Sequence, residues 1–208
     1  MALLPRQLLS PKEEGMLRLL RSMAQVWVTG GWLRDKVLAS LDVNLEARAH
    51  CQRIARLCGQ SHGDLDLVVA GMTSAEFYGR CARDEAFRSL LRRPPLLVEA
   101  KGGRPNTVKL TLSEATVDVT SLADPRPGSG AQSGQEDSLA QDCQHRDVSF
   151  NALYLEAGEE EVLDPCHQGL SDLSSGVVRT PHAGCNAARE AKVLKTVFDE
   201  IREACLCF

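Results

Sequence analysis

A short apolar run that ends in two glycines is the feature that most constrains how this chain folds. Residues 26–29 read Val-Trp-Val-Thr, Gly30 and Gly31 follow, and residues 32–38 have the pattern of a helix. A strand that turns through Gly-Gly into a helix leaves free backbone N–H groups at the helix start, where phosphate groups bind. The stretch therefore predicts a strand, a tight turn and a helix that together hold a phosphorylated ligand.

Two carboxylates further along the chain predict a metal beside that phosphate site. Asp64 and Asp66 stand two positions apart in the run Asp-Leu-Asp-Leu-Val-Val, which has strand character. Because strand side chains alternate between the two faces of a sheet, we expect both carboxylates on one face. Two hard oxygen ligands that leave positions free for water and phosphate suit Mg²⁺. The pattern predicts a magnesium-dependent phosphoryl-transfer site with Asp64 and Asp66 as the metal ligands.

Composition sets broad limits on the class of protein. The 208 residues suffice for one domain with its own core, and 43% apolar with 25% charged residues are typical of a globular protein. The net charge of −4 does not indicate a general nucleic-acid binder, so any RNA contact must come from a local patch. The sequence contains no run of 18 apolar residues, and we expect no membrane partner.

The cysteines and the N-terminal stretch bear on the compartment. Eight cysteines without metal-ligand spacing predict free thiols rather than a zinc site. Free thiols in a chain of this length indicate a reducing compartment. We expect a cytoplasmic location, with mitochondrial and nuclear locations as alternatives. Basic residues within 6–21 are typical of a mitochondrial leader, whereas Glu13 and Glu14 argue against one.

Local patterns along the chain predict alternating helices and strands. Ser10 and Glu13 form a capping-box helix start with Pro11 at the first helical position, and a second capping box opens at residue 73. Short strands are expected at 96–99, 107–111 and 116–120, and residues 142–154 are expected to form a polar helix that runs into a strand. The segment that follows residue 162 is expected to be rich in turns.

Two stretches are predicted to lie outside this regular pattern. Residues 41–60 form a candidate basic amphipathic helix that separates the Gly-Gly helix from the carboxylates. Residues 123–136 are rich in Gly, Ser and Pro and are expected to form a mobile loop. The first stretch is therefore interpreted as an insertion, and the second as a surface loop.

Four motifs, taken in order, resemble one family. They are residues 30–38 (Gly-Gly-Trp-Leu-Arg-Asp-Lys-Val-Leu), 61–67 (Ser-His-Gly-Asp-Leu-Asp-Leu), 145–153 (His-Arg-Asp-Val-Ser-Phe-Asn-Ala-Leu), and 169–173 with 178–181. Together they look like the eukaryotic-type head domain of class II CCA-adding enzymes. These tRNA nucleotidyltransferases are related to bacterial poly(A) polymerases and belong to the polymerase-β-like superfamily. Four ordered motifs are far more specific than a lone Gly-Gly or Asp-x-Asp.

The resemblance implies both a fold and a domain layout. It implies an α/β head domain with a mixed β-sheet flanked by helices, and it covers about residues 10–181. We therefore assign residues 1–181 to the nucleotidyltransferase head and residues 182–208 to a degenerate helical C-terminal segment. Counterparts of the family's neck, body and tail domains are not found in this sequence.

The resemblance also implies which residues hold the nucleotide and the metal. Gly30, Gly31 and Arg34 would lie at the triphosphate of the nucleotide. Asp64 and Asp66 would hold Mg²⁺, in agreement with the geometric argument from their spacing. The implied partners are ATP or CTP and the 3′ end of tRNA or another RNA. The implied reaction is in-line attack of the RNA 3′ hydroxyl on the α-phosphate, assisted by metal ions.

Further site residues come from a third motif and a later strand. Arg146 and Asp147 match the family's Arg-Arg-Asp motif, in which the arginine helps to hold the nucleotide and the aspartate contacts its sugar. His145 replaces the first arginine of that motif. A guanidinium makes a planar bidentate contact with phosphate that an imidazole cannot reproduce, so Arg146 is expected to matter more. Asp118 alternates with two valines on its predicted strand and is our candidate for a third catalytic carboxylate.

Departures from the family pattern leave a second interpretation open. The arginine that the family usually has just after the Asp118 strand is absent. Where the family carries a base-reading Asp/Glu-Asp-x-x-Arg motif, residues 189–195 have only Glu190 and Lys192 in related positions. The alternative is a non-catalytic or truncated homologue that binds a nucleotide. Such a protein could also bind a protein or RNA partner through residues 41–60 or the C-terminal segment.

Overall fold

The structure is a computed structural model that describes residues 2–3, 9–41, 64–99, 106–113, 115–124 and 135–181. The predictions made for residues 42–60 and 182–208, and for most of the 123–136 loop, fall outside the described residues. The assignment of domain boundaries therefore stays a prediction.

A single mixed sheet organises the described residues. Its strands follow the order β1-β8-β7-β2-β3-β6-β5-β4 across the sheet. Strands β3 and β6 run parallel, and the other neighbouring strands described in the sheet are antiparallel. The predicted α/β class with a mixed sheet is confirmed. The strands are β1 (Ala2–Leu3), β2 (Gln25–Thr29), β3 (Asp64–Ala70), β4 (Leu96–Val98), β5 (Thr107–Thr111), β6 (Thr116–Ser121), β7 (Tyr154–Glu156) and β8 (Glu161–Leu163).

The helices flank this sheet, and two of them begin at the predicted capping boxes. The Ser10 hydroxyl accepts from the Glu13 N–H at 3.2 Å, and the Glu13 carboxylate accepts from the Ser10 N–H at 2.7 Å. Thr73 and Glu76 make the same reciprocal pair at 3.2 and 2.7 Å. In the described ranges, none of the helices combines the length and apolarity that a membrane crossing requires. They are α1 (Pro11–Met23), α2 (Gly30–Ser40), α3 (Ser74–Arg83), α4 (Glu85–Leu90), α5 (Gln135–Gln144) and α6 (Gly169–Ser175), with a short 3-10 turn at Ser149–Asn151.

Several short elements escaped the sequence prediction. The segment after residue 162 is not only turns, because β8 and α6 lie within or beside it. Helix α5 begins at Gln135, inside the stretch predicted to be a loop. Helix α4 has only six residues and starts where the Asp84 carboxylate accepts from the Phe87 N–H at 2.9 Å. Strand β8 and helices α4 and α6 hold too few residues for a hydrophobic period to show.

Alternating residues of the two central strands, β2 and β3, pack into two separate hydrophobic cores. On one face, Leu65 and Leu67 of β3 join Val28 in the larger core, which helices α1 to α4 help to cover. On the other face, Val68 packs with Trp27, and helix α5 covers this smaller core. Asp66 lies two positions before Val68 and thus on the face of the smaller core, beyond its apolar part. The members of the smaller core are Trp27, Val68, Leu139, Cys143, Ala152 and Tyr154.

Candidate active site

Neighbouring strands bring polar residues into one row across the sheet. Thr29 at the end of β2 pairs with Asp66 of β3, and Asp66 in turn pairs with Asp118 of β6. On its other side Asp118 pairs with Lys109 of β5. Paired residues on adjacent strands place their side chains on the same face of the sheet. We call Thr29, Asp66, Asp118 and Lys109 the cross-strand row.

Gly30 lies directly against the Asp66 carboxylate of this row. Its φ is 75°, in the left-handed region that side-chain-bearing residues rarely adopt. A Cβ atom added at Gly30 would collide with the Asp66 Oδ2 atom. The first glycine of the pair is therefore required twice, once by its backbone conformation and once by the space that Asp66 occupies.

The start of helix α2 lies beside this row, and its first two residues, Gly30 and Gly31, are buried. The helix runs for 11 residues from Gly30, and the side chain of its cap residue, Thr29, makes no capping hydrogen bond. The Thr29 hydroxyl instead donates to the Asn151 carbonyl at 3.2 Å. The first N–H groups of a helix lack intrahelical partners and attract anions. This helix start lies beside two carboxylates, and its cap side chain does not use its N–H groups. It therefore agrees with the expected phosphate position.

Asp118 already has an ionic partner in the row. The Lys109 ammonium donates to both of its carboxylate oxygens, at 2.7 and 3.0 Å. The Lys109 side chain is 44% exposed and the Asp118 side chain is 31% exposed. Ion pairs this exposed contribute little to stability, so the pair concerns the charge of the site more than the fold.

The carboxylates of the row fit a magnesium ion. Mg²⁺ is usually held by one or two protein carboxylates, with water and substrate phosphates completing its octahedral shell. Asp66 and Asp118 place two carboxylates on paired positions of neighbouring strands, where they would supply two such ligands. Asp64 begins β3 and pairs with Thr116 through its backbone, while its side chain lies outside the described atoms. Among the described side chains no three His, Cys, Asp or Glu residues form a preassembled metal cluster.

Arg34 points into the protein in this structure. Only 1% of it is exposed. Its guanidinium donates to the Asp35 carboxylate at 3.0 Å and to the Asn151 side-chain oxygen at 2.9 Å. The expected contact of Arg34 with the triphosphate therefore stays a prediction, and the contacts it makes here orient other residues of the site.

Asn151 connects two of the predicted nucleotide-binding segments. Its side-chain oxygen accepts from Arg34 of helix α2, and its side-chain N–H donates to the Asp147 carboxylate at 3.2 Å. Its carbonyl accepts from Thr29 at the end of β2. Asn151 is 1% exposed, and its contacts with Arg34 and Thr29 are buried, whereas its contact with Asp147 is part-buried. The result is a continuous hydrogen-bonded path from the Gly-Gly turn to Asp147.

Arg146 is held in place from the side of helix α5. Its guanidinium donates twice to the Asp142 carboxylate, at 3.0 and 2.9 Å, and the same oxygen accepts from the Tyr154 hydroxyl at 2.6 Å. The guanidinium carbon also lies 5.9 Å from the centre of the Tyr154 ring. Burial alone would lower the pKa of Arg146, but the charges of Asp142 and Asp66 are among the influences that keep it above its usual range. Of the cross-strand row, the Asp66 carboxylate therefore interacts with the charge of Arg146.

The structure thus brings most of the predicted residues to one end of the central strands and adds others that were missed. Gly30, Asp66 and Asp118 meet there, and the charge of Arg146 acts on Asp66. Asn151 stood within a quoted motif, yet its buried contacts could not be inferred from the motif. Lys109, Asp142 and Tyr154 were missed, because strand register and helix docking decide their positions.

Comparison with known proteins is consistent with this geometry. Residues 26–179 match the family described as the poly A polymerase head domain. Two curated relatives are mitochondrial CCA tRNA nucleotidyltransferases: that of Candida glabrata is 25% identical over 170 residues, and that of Saccharomyces cerevisiae is 26% identical over 175 residues. Each alignment covers 74% of this chain but only 27% and 26% of the respective yeast enzyme. The chain therefore spans about a quarter of the length of these relatives.

Solved structures share the fold. A CCA-adding enzyme in complex with ATP superposes with a TM-score of 0.60 at 22% identity, over 96% of this chain and 40% of the other. A tRNA-processing enzyme in an apo form gives a TM-score of 0.55 at 18% identity, over 89% of this chain and 42% of the other. The family match covers well over half of the chain and includes each of the residues of the cross-strand row. The chain belongs to the poly A polymerase head-domain family, with the polymerase-β-like nucleotidyltransferase head fold found in CCA-adding enzymes.

Proposed function

We propose that this chain is the catalytic head of an RNA nucleotidyltransferase that transfers nucleotides from CTP or ATP to the 3′ end of tRNA with the help of Mg²⁺. The observation that carries the proposal is the pairing of Asp66 with Asp118, beside a glycine that leaves room for the Asp66 carboxylate. The yeast relatives are named as CCA tRNA nucleotidyltransferases, which supports this substrate class.

Each residue of the site has a task in this proposal. Asp66 and Asp118, with Asp64 from the same strand, would hold the metal, which supplies positive charge to the phosphates of the nucleotide. The start of helix α2, which the Thr29 side chain does not cap, would bind the triphosphate through the N–H groups of Gly30 and Gly31. These groups orient the α-phosphate for attack by the RNA 3′ hydroxyl, and orientation of this kind is a major part of phosphoryl-transfer catalysis.

The three remaining residues that were predicted to bind the nucleotide are assigned by their surroundings. Arg146 carries a guanidinium whose orientation Asp142 and Tyr154 fix, and it would add positive charge near the phosphates. Asp147 would contact the ribose, with its carboxylate oriented by the Asn151 amide. Arg34 would hold Asn151 in place, since its buried guanidinium donates to the Asn151 side chain.

The alternative is a homologue that binds a nucleotide without transferring it. One observation favours it: Lys109 already neutralises Asp118, and a carboxylate that an ammonium group engages is a weaker metal ligand. The two functions differ in one measurable product. A catalytic head lengthens RNA, whereas a binding homologue only retains the nucleotide.

The test is incubation of the chain with Mg²⁺, labelled CTP or ATP, and tRNA that lacks its 3′ CCA. The catalytic proposal predicts labelled RNA with the wild-type chain and a loss of label of more than about a hundredfold with Asp66→Asn. The variant should melt at nearly the same temperature, because it changes a half-buried polar group rather than the core. Nucleotide binding without any labelled RNA would instead support the binding homologue.

The relatives also bear on location. The two yeast enzymes are named as mitochondrial, and the cytoplasmic location expected from the sequence finds no support in these comparisons. We therefore propose a mitochondrial location. Immunodetection in purified mitochondria and in the soluble cell fraction tests it, and recovery of the protein in the soluble fraction alone would contradict it.

A further inference from the structure

Lys109 is a charged member of the cross-strand row to which no motif assigns a role. It sits on β5 opposite Asp118, and its ammonium contacts both oxygens of that carboxylate. We propose that Lys109 is a positioning residue that holds Asp118 in the row and lowers the affinity of the Asp66–Asp118 pair for a divalent cation. This inference rests on the proposed function, because it assumes that the pair is a metal site.

The cross-strand row places one positive charge next to two negative charges. Asp66 and Asp118 occupy paired positions on strands spaced roughly 4.8 Å apart, so two negative charges repel each other there. Lys109 stands one strand further along the same row and supplies the opposite charge. A cation that binds between the carboxylates replaces this source of neutralisation and is itself repelled by the ammonium group.

The neighbours of Lys109 leave its side chain able to move. Its other strand neighbour is Leu96, which is apolar and 57% exposed. Within the described residues, the carboxylate that Lys109 contacts is that of Asp118. Because the Lys109 side chain is 44% exposed, its ammonium can turn into water without disturbing the core. Lys109 can therefore restrain Asp118 in the metal-free protein and withdraw when a cation takes the carboxylate.

The test measures metal affinity directly, with Mn²⁺ as the probe and electron paramagnetic resonance to count the free ion. Lys109→Met should tighten Mn²⁺ binding about tenfold, or about 1.4 kcal/mol, because it removes a nearby positive charge. Lys109→Arg keeps the charge and should stay within about twofold of the wild type. Lys36→Met is the matched control, since it removes a lysine that pairs with Glu13 instead, and it should also stay within about twofold.

A second background shows whether Lys109 acts through Asp118. With Asp118→Asn already present, Lys109→Met should change Mn²⁺ affinity by less than about threefold, because the ion pair is gone and only the direct repulsion between the ammonium group and the cation remains. Equal or weaker Mn²⁺ binding by Lys109→Met, or equal tightening by Lys36→Met, would overturn the role of Lys109. If Asp66→Asn leaves Mn²⁺ binding unchanged, the carboxylates are not a metal site and the proposed function fails with the inference. The two failures are therefore told apart by which variant gives the unexpected value.

Discussion

Replacing Gly30 by alanine should damage the site more than the fold. The φ of 75° at this position penalises any residue with a Cβ by roughly 1–2 kcal/mol. The new Cβ would also collide with the Asp66 carboxylate, which must then move out of the cross-strand row. Overpacking of this kind adds roughly 1–3 kcal/mol and displaces a proposed metal ligand.

Gly71 provides a matched control within the same chain. Its φ is 74°, nearly that of Gly30, yet a Cβ added there meets no atom within 4 Å. Gly71→Ala should therefore carry the backbone penalty alone. Comparing the two variants separates the effect of the left-handed backbone from the effect of crowding Asp66.

Two measurements on both variants decide the matter. For a chain of this size, the melting temperature should fall by about 2–4 °C for each kcal/mol lost, so both variants should melt below the wild type and Gly30→Ala further below than Gly71→Ala. Mn²⁺ affinity should fall at least about tenfold, or 1.4 kcal/mol, in Gly30→Ala and stay near the wild-type value in Gly71→Ala. Equal metal affinity in the two variants would refute the reasoning that Gly30 exists to make room for Asp66.

Three further predictions concern the neighbourhood of the site, the acid sensitivity of the fold and the choice of base. Asn151→Ala should lower the free energy of unfolding by about 1–3 kcal/mol, because the buried Arg34 loses an acceptor. It should also reduce the preference for ATP over 2′-deoxy-ATP, because Asp147 loses a hydrogen-bond donor. An unchanged sugar preference would contradict the hydrogen-bonded path through Asn151. Burial raises the pKa of Glu13, but hydrogen bonds from Ser10, Lys36 and Trp32 together bring it below its usual value of 4.5. The stability that Glu13 contributes is therefore present above pH 4.5 and is lost as the pH falls through the lower folded-state pKa. Between about pH 5 and pH 3, the melting temperature of the wild type should fall more than that of Glu13→Gln. Parallel melting curves for the two proteins would contradict this role of Glu13. Dissociation constants for ATP, CTP, GTP and UTP should agree within about tenfold, because phosphate and sugar contacts are common to all four; a hundredfold preference for CTP and ATP would show that Glu190 and Lys192 read the base.

The sequence was sufficient for the central fold because the motifs that encode it are local. The apolar run before Gly30, the capping boxes at Ser10 and Thr73, and the alternation around Asp118 each depend on residues close together in the chain. The structure places each of these elements as expected. The same locality explains why Gly30 could be predicted to lie beside the site.

The remainder of the site depends on contacts between distant segments. Lys109 meets Asp118 only through the register of β5 and β6, and nothing in the local pattern around Lys109 announces it. The motif predicts that Arg34 lies near the triphosphate, but it does not predict the hydrogen bond from its guanidinium to a residue 117 positions further along the chain. Motifs identify which residues matter, but long-range packing decides which of them face a ligand and which hold the others in place.

The most direct test of the central claim, that the Asp66 carboxylate binds the metal that supports nucleotide transfer, is a change of metal preference in Asp66→Cys. A thiolate is a soft ligand that binds Mg²⁺ poorly and binds softer ions such as Cd²⁺ well. Labelled-nucleotide incorporation should fall by more than about a hundredfold with Mg²⁺ and recover at least about tenfold when Cd²⁺ is added, while Cd²⁺ gives the wild type no comparable gain. Full activity of Asp66→Cys with Mg²⁺, or the same response to Cd²⁺ in both proteins, would contradict the assignment of Asp66 as a metal ligand.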